Sequence, residues 1–291
     1  MQLLIYYIFR ATKALFSLIP FPVLYIISDG LYYLFYYVVG YRKKVIVGNV
    51  KRSFPDKSGE EHKRIAKAFY RHFADLIVES LKVFTISKRE VDERMKFLNP
   101  ELINRYFDEG KSVIMAGGHY NNWELFAVAI DQAVKHQSIA IYKPLSNKFF
   151  DEKMRATRGK YGLEMISIKE VKPVFEKYQS KLTLTIFGTD QSPGKVKNAY
   201  WTRFLNQDTA VLYGTEKYAK EYNYPVVFCC IHKICRGHYS IEFRDLIPDP
   251  SKTVYGEITE AHTKMLEQDI LRNPEFWLWS HRRWKHKKPL E

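Results

Sequence analysis

The sequence predicts an α/β fold: a central, mostly parallel sheet flanked by helices, with an apolar helical segment at the N-terminus. Three observations predict it. Beyond Pro100, short β-branched runs alternate with helical stretches, the pattern of strand–helix units covering a sheet. Residues 59–86 carry one long helical period. Residues 1–9 and 14–28 carry no charge at all. The 291 residues are 46% hydrophobic and 27% charged, a balance that excludes a disordered chain. Charges recur through the rest of the chain, which excludes a multi-pass membrane protein.

In chain order, the uncharged runs come first, and a third apolar run, 31–39, follows Asp29 and Gly30. Crossing the bilayer core takes about 20 apolar residues, and Pro20, Pro22 and Asp29 interrupt these runs. No cation precedes the first run and no small-residue cleavage site follows, so a secretory signal is not expected. Tyr32, Tyr33, Phe35, Tyr36, Tyr37 and Tyr41 suit a headgroup zone, and Arg42, Lys43 and Lys44 mark a cytoplasmic flank. The expectation is an interfacial or shallowly inserted helical hairpin over 1–44, with 45–291 as one cytoplasmic domain. A pair of core helices is the alternative.

The helix over 59–86 places Ile65, Ala68, Phe69, His72, Phe73, Leu76 and Val83 at helical spacing. Strands are predicted at 112–116, 138–142, 164–168, 182–187 and 225–231, with an edge strand at 239–243. Helices are predicted at 123–136, 147–160, 172–178, 209–222 and 257–271. Cys229, Cys230 and Cys235 form no CxxC pair and lie in or beside an apolar run, which reads as buried or idle thiols in a reducing compartment.

The net charge of +14 is patchy. Residues 41–52 contribute five excess cations and the tail 281–291 four. The first patch follows the most apolar stretch, a juxtaposition that favours a membrane surface over nucleic acid.

Four blocks carry candidate chemistry. Gly117-Gly118-His119-Tyr120-Asn121-Asn122-Trp123-Glu124 follows a strand and opens a helix that Asn121 or Asn122 caps. His119 therefore sits at a strand's carboxyl end, where α/β sheets place ligands. Five residues of separation do not share a helical face, so Glu124 meets His119 only by reaching back from the first turn. A His–acid dyad of this kind suits proton removal from a hydroxyl. The chain offers no GxSxG nucleophile elbow, which leaves direct attack of a substrate hydroxyl on an activated carbonyl.

The second block is Lys143, then Ser146 and Asn147 opening a helix on which Arg155 and Arg158 share a face, a set able to clamp phosphate. Ser146 is read as that helix's cap. The third, Thr189-Asp190-Gln191-Ser192-Pro193-Gly194, again gathers polar groups after a strand. The fourth, Trp277 to Trp284, interleaves tryptophan with arginine, as a lipid interface or a base-stacking surface would.

These blocks, in this order and with Asn49 and Ser53-Phe54-Pro55 ahead of them, make the chain resemble the bacterial lipid A (lipopolysaccharide) late acyltransferases, within the wider lysophospholipid acyltransferase group. The likeness runs from about Leu24 to Trp284. It implies an O-acyltransferase that esterifies a lipid hydroxyl from an acyl thioester, with 45–291 as the acyltransferase domain. His119 is then the general base and Glu124 its orienting partner. Arg158, Asp190 and Gln191 lie among the polar groups of the site, and Lys143, Asn147 and Arg155 contact donor or acceptor. The implied donor is acyl carrier protein or acyl-coenzyme A, the implied acceptor a lipid A precursor, and the implied location the cytoplasmic face of the inner membrane. No metal, bound cofactor or nucleic acid is expected.

Two positions depart from the family: Lys143 stands where arginine is common, and Ser192 where an acid is. Other acceptors, such as an aminolipid or a lysophospholipid, stay open at this point. So do a non-enzymatic basic membrane-binding protein and a metal hydrolase built on His119, Glu124 and His232 or His238.

Overall fold

The computed structural model describes residues 2–178, 180–197 and 199–289. Met1 of the first apolar run and Glu291 of the basic tail lie outside them. Two helices, α1 (Gln2–Leu18) and α2 (Phe21–Tyr33), open the chain, and α2 continues as a π-helical turn over Leu34–Val38. Pro20 and Pro22 fall at the start of α2, where their fixed φ costs nothing and the missing N–H would have no partner anyway. The continuous stretch Phe21–Val38 is long and apolar enough to cross a membrane by length and composition alone.

Then come α3 (Lys43–Ser53), α4 (Gly59–Val83), α5 (Lys88–Arg94), β1 (Met95–Phe97), α6 (Glu101–Asp108), β2 (Val113–Gly117), α7 (Trp123–Ala129), β3 (Gln137–Tyr142) and α8 (Lys148–Arg158). The second half holds β4 (Glu164–Ser167), α9 (Val171–Lys177), β5 (Thr183–Gly188), β6 (Ala199–Phe204), β7 (Gln207–Leu212), α10 (Gly214–Tyr222), β8 (Val226–Cys235), β9 (His238–Ile247) and α11 (Glu257–Arg272). Ser58 and Ser87 start α4 and α5 with reciprocal capping boxes to Glu61 and Glu90.

The sheet runs β1-β9-β8-β2-β5-β3-β4, and every neighbouring pair is parallel except β8 with β9. Its central part, β2, most of β5 and the first six residues of β8, is buried on both faces, as helix layers on each side require. Ile114 and Ala116 of β2 join one apolar cluster with Phe228, Leu266 and Ile270, while Val113 and Met115 join the other with Leu24, Val91 and Ile103.

The predicted fold class is the observed one. Three differences bear on the layout. The strand 239–243 is longer and lies one place in from the edge, because the three residues of β1 add outside it. The helix expected over 209–222 begins only at Gly214, because 209–212 pairs with 199–202 in the antiparallel ribbon β6–β7. Thr209 and Val211 are β-branched, a preference the helical reading overlooked. The helix from Trp123 ends at Ala129 with a 3₁₀ turn to Gln132, well short of 136.

Helix α2 has two characters. Phe21, Leu24, Ser28 and Tyr32 are buried, and the Ser28 hydroxyl donates to Asp75 of α4 at 2.7 Å. Val23, Ile26, Tyr33, Leu34, Tyr37 and Val38 stay exposed. The pair is clamped to the sheet domain: Arg236 donates to Asp29, Asp75 and the Tyr25 carbonyl. Lys82 donates to the carbonyls of Phe16, Ser17 and Ile19 at 2.9–3.0 Å, which satisfies and charge-complements the carboxyl end of α1. The three cysteines are free; Cys229 and Cys230 are buried and Cys235 is exposed.

Candidate active site

The site follows from one register. β2 and β5 are parallel neighbours with Gly117 paired to Gly188. His119 and Asp190 each lie two residues past that rung, so the two chains leave the sheet side by side and bring these residues together. Glycine matters at Gly118 and Gly188 because the two loops pass close. A Cβ on Gly188 would stand 3.4 Å from the His119 ring, and one on Gly118 would stand 3.4 Å from the Asp190 carboxyl carbon and nearer still to Leu266. Asn121 takes a left-handed φ of 54°, which turns the chain sharply before α7. Its amide reaches the Ile231 carbonyl at 2.6 Å. Asn122, the second of the two candidates, is the cap: its side chain accepts from Leu125 N at 2.8 Å.

Asp190 is the partner of His119. The imidazole Nδ1 stands 2.7 Å from Asp190 Oδ1. The other carboxylate oxygen accepts from the His119 backbone N–H and from the Trp277 indole, each at 2.9 Å. Gln191 Nε2 lies 3.1 Å from His119 Nε2. A carboxylate on Nδ1 and an amide donor on Nε2 select one tautomer: the proton sits on Nδ1, and the Nε2 lone pair faces outward. Trp123 stacks edge-to-face on the imidazole at 5.2 Å.

The expected hydrogen bond from Glu124 to His119 is not the one formed. Glu124 accepts two bonds from Arg158, at 2.9 and 2.5 Å, and one from the Trp123 indole at 3.1 Å. From the first turn of α7 its carboxylate meets the guanidinium that α8 returns to the sheet, and that bidentate geometry holds it.

Charges are tuned accordingly. Burial alone would depress the His119 pKa, but the Asp190 carboxylate outweighs it and, with Glu124 helping, holds the imidazole above its ordinary value. Burial pushes Asp190 up, and its bonds to His119 and Trp277 overcome that and hold it well below the usual carboxylate range. Arg158 likewise outweighs burial and keeps Glu124 ionised, below its ordinary value.

Other singled-out residues lie differently. Lys143 and Asn147 are exposed. Asn147, not Ser146, caps α8, its side chain accepting from the N–H groups of Phe149 and Phe150; an amide oxygen serves an extended-backbone cap as well as a hydroxyl. Arg155 is exposed, with one long contact of 3.5 Å to the Met165 carbonyl. The tryptophan–arginine block is neither an interface belt nor a stacking surface. Trp277 and Trp279 are 1% and 0% exposed. Arg283 is buried, donates to the Ala210 carbonyl, and is pushed down to about 10 by burial. The block lies under the site because Tyr120 bridges to Trp277, Leu278 N donates to the His119 carbonyl, and Asn49 pins the Trp279 and His281 carbonyls. Trp277 as the second support of Asp190 was not read from the sequence; its indole gave no signal distinct from a core tryptophan. His232 pairs with Glu242 at 3.0 Å, away from His119, and His238 contacts the Glu93 carbonyl.

Arg158→Met tests the pair that holds Glu124. It leaves a mostly buried carboxylate without its main donors, and it lowers stability by about 2 kcal/mol. A urea midpoint that does not move would show the pair contributes nothing.

Comparison with known proteins shows the family. A family model described as bacterial lipid A biosynthesis acyltransferase matches residues 1–286. The chain belongs to that family. It is an acyltransferase, and the His119 block is the place in it where the geometry supports acid–base chemistry. Among curated relatives, the lipid A biosynthesis lauroyltransferase of Escherichia coli (strain K12) is 22% identical over 272 residues, covering 92% of this chain and 87% of that protein. The lipid A biosynthesis palmitoleoyltransferase of the same strain is 20% identical over 269 residues, covering 92% and 86%. A lipid A biosynthesis acyltransferase of Shigella flexneri matches to the same extent.

Proposed function

We propose that this acyltransferase moves a fatty acyl chain from an acyl thioester to a hydroxyl of a lipid A precursor, with His119 as general base. The observation that carries the reading is the His119 imidazole with Asp190 on Nδ1 at 2.7 Å and its other nitrogen turned to Gln191. The acceptor hydroxyl takes the place of the Gln191 amide at Nε2 and gives up its proton there. Its oxygen attacks the thioester carbonyl. Collapse of the tetrahedral adduct breaks the C–S bond, and the imidazolium returns the proton to the departing thiolate. Charges balance: an ester and a free thiol form, and His119 ends neutral. Asp190 sets the tautomer and stabilises the imidazolium. Glu124, fixed by Arg158, adds negative potential beside the ring. The names of the curated relatives support lipid A as the acceptor class, and the basic patches suit the acidic acyl carrier protein as donor.

Mass spectrometry of lipids from cells lacking this protein tests the reading. Lipid A short of one acyl chain is expected. An unchanged lipid A, or the same loss from an aminolipid or lysophospholipid instead, rejects the acceptor.

We also propose that the enzyme works at the cytoplasmic face of the inner membrane, seated by the outer faces of α1 and α2. Leu18 and Val38 are 83% and 76% exposed, and Ile26 lies between them. Deleting the first 40 residues would also uncover the core around Leu24, so surface substitution is the cleaner test. Leu18→Ser, Ile26→Ser and Val38→Ser together reduce binding to neutral phosphatidylcholine vesicles by about tenfold or more, since each buried aliphatic side chain contributes about 1.5–3 kcal/mol. Undiminished flotation with these vesicles would reject this face.

A further inference from the structure

A groove of about 560 Å³ opens beside α4, between that helix, Tyr32 of α2, Lys233 of β8 and the segment Glu275–Phe276. That volume is in the range of small-ligand sites. Among the described residues, none that lines it hydrogen-bonds or ion-pairs with His119, Asp190, Glu124 or Arg158. Its wall is basic: Lys63, Arg64, Lys67 and Arg71 stand on one side of α4, with Lys233 opposite. The acids are mostly engaged. Glu60 holds Lys63 at 2.7 Å, and Asp75 is bound by Arg236 and Ser28 and pairs with Lys233 at 3.6 Å, which leaves Arg64, Lys67 and Arg71 as the cations without an acidic partner among the described residues. Arg64 has no hydrogen bond or ion pair among the described residues, and Arg71 and Lys67 meet the rings of Tyr32 and Tyr36.

His72 lines the groove and is 3% exposed. Its Nδ1 lies 3.4 Å from the Lys233 ammonium, which can only donate, so Nδ1 is the acceptor and the hydrogen sits on Nε2. That Nε2 is buried and has no hydrogen-bond partner. A donor without an acceptor, in a wall of cations, fits an anionic oxygen ligand.

We propose that this groove binds the phosphate of an anionic phospholipid headgroup, at a site separate from His119. A lipid fits better than a soluble phosphate because the rim is continuous with the apolar face. Tyr32 in the wall packs on Tyr33 at 5.2 Å and on Tyr37 at 6.1 Å, and both of these rings are exposed beside Leu34 and Val38. Chains inserted along that face would bring a headgroup to the cations of α4. The proposal rests on the membrane-facing reading of α1 and α2, not on acyl transfer.

The test floats the full-length protein with phosphatidylcholine vesicles, with and without phosphatidylglycerol, and reads the gain that phosphatidylglycerol supplies. Neutral-vesicle binding separately reports the apolar face, so the two ideas fail apart. Arg64→Gln, Lys67→Gln and Arg71→Gln together cut the gain by about tenfold or more. Arg282→Gln, Lys285→Gln and Lys287→Gln in the basic tail, with the same change in net charge, alter it by less than about twofold. Equal loss in both triples would mean general charge attraction and overturn the site, as would no loss in the groove triple. If the groove triple keeps the gain but loses binding of soluble glycerol 1-phosphate, or of acyl carrier protein, the ligand is that one and the lipid proposal fails.

Discussion

His119→Ala should reduce acyl transfer by about 10²–10⁴-fold, the usual contribution of a positioned proton acceptor. The loss falls on kcat, because the imidazole works on a proton that moves only as the hydroxyl attacks. The substitution also leaves Asp190 Oδ1 without its 2.7 Å partner in a buried setting, which costs about 1–3 kcal/mol of stability. The measurement therefore needs turnover and a melting curve from the same preparation. His119→Gln separates the two effects: its amide can still offer Asp190 a donor, so stability recovers while the base stays missing. Turnover near normal in a folded His119→Ala protein would remove this residue from the chemistry.

The same substitution shows where sequence reasoning reached and where it stopped. The block from Gly117 to Glu124 was readable because a strand end, two glycines, an asparagine cap and a helix start follow each other within one short segment, and each has a local physical cause. Asp190 was also placed at a strand's carboxyl end. What could not be read is that the two strand ends adjoin. That fact lives in the pairing of Gly117 with Gly188, across 71 residues and two intervening strands. Spacing along the chain favoured Glu124 as the partner because it was near in sequence. Space gave Nδ1 to Asp190 and gave Glu124 to Arg158.

The tail shows the opposite error: tryptophan beside arginine reads as a surface signature, yet Trp277 and Trp279 are core residues whose indoles donate to Asp190 and to the Pro274 carbonyl. The exposed outer face of α2 and its buried inner face were both foreseeable as alternatives. Both faces are present at once, because a single helix can bury Leu24 and expose Ile26.

Asp190→Asn should be nearly as damaging as loss of the base, by about 10²–10⁴-fold, and it carries a second signature in pH. In the parent enzyme Asp190 outweighs burial and holds His119 above its ordinary value. The base must be neutral to act, so kcat/KM climbs as pH rises through that elevated pKa and levels off above it. An asparagine removes the largest upward influence while burial, which pushes downward, remains. The acid limb then moves to lower pH even as the plateau falls. The reason for the lower plateau is tautomeric: an asparagine amide can donate to Nδ1, which places the ring proton on Nε2 and turns the lone pair away from the acceptor. A simple packing defect would lower the plateau and leave the limb where it was. A limb that stays put, or moves to higher pH, would therefore reject Asp190 as the group that sets the charge of His119, and it would return that role to Glu124, the other carboxylate that raises the ring.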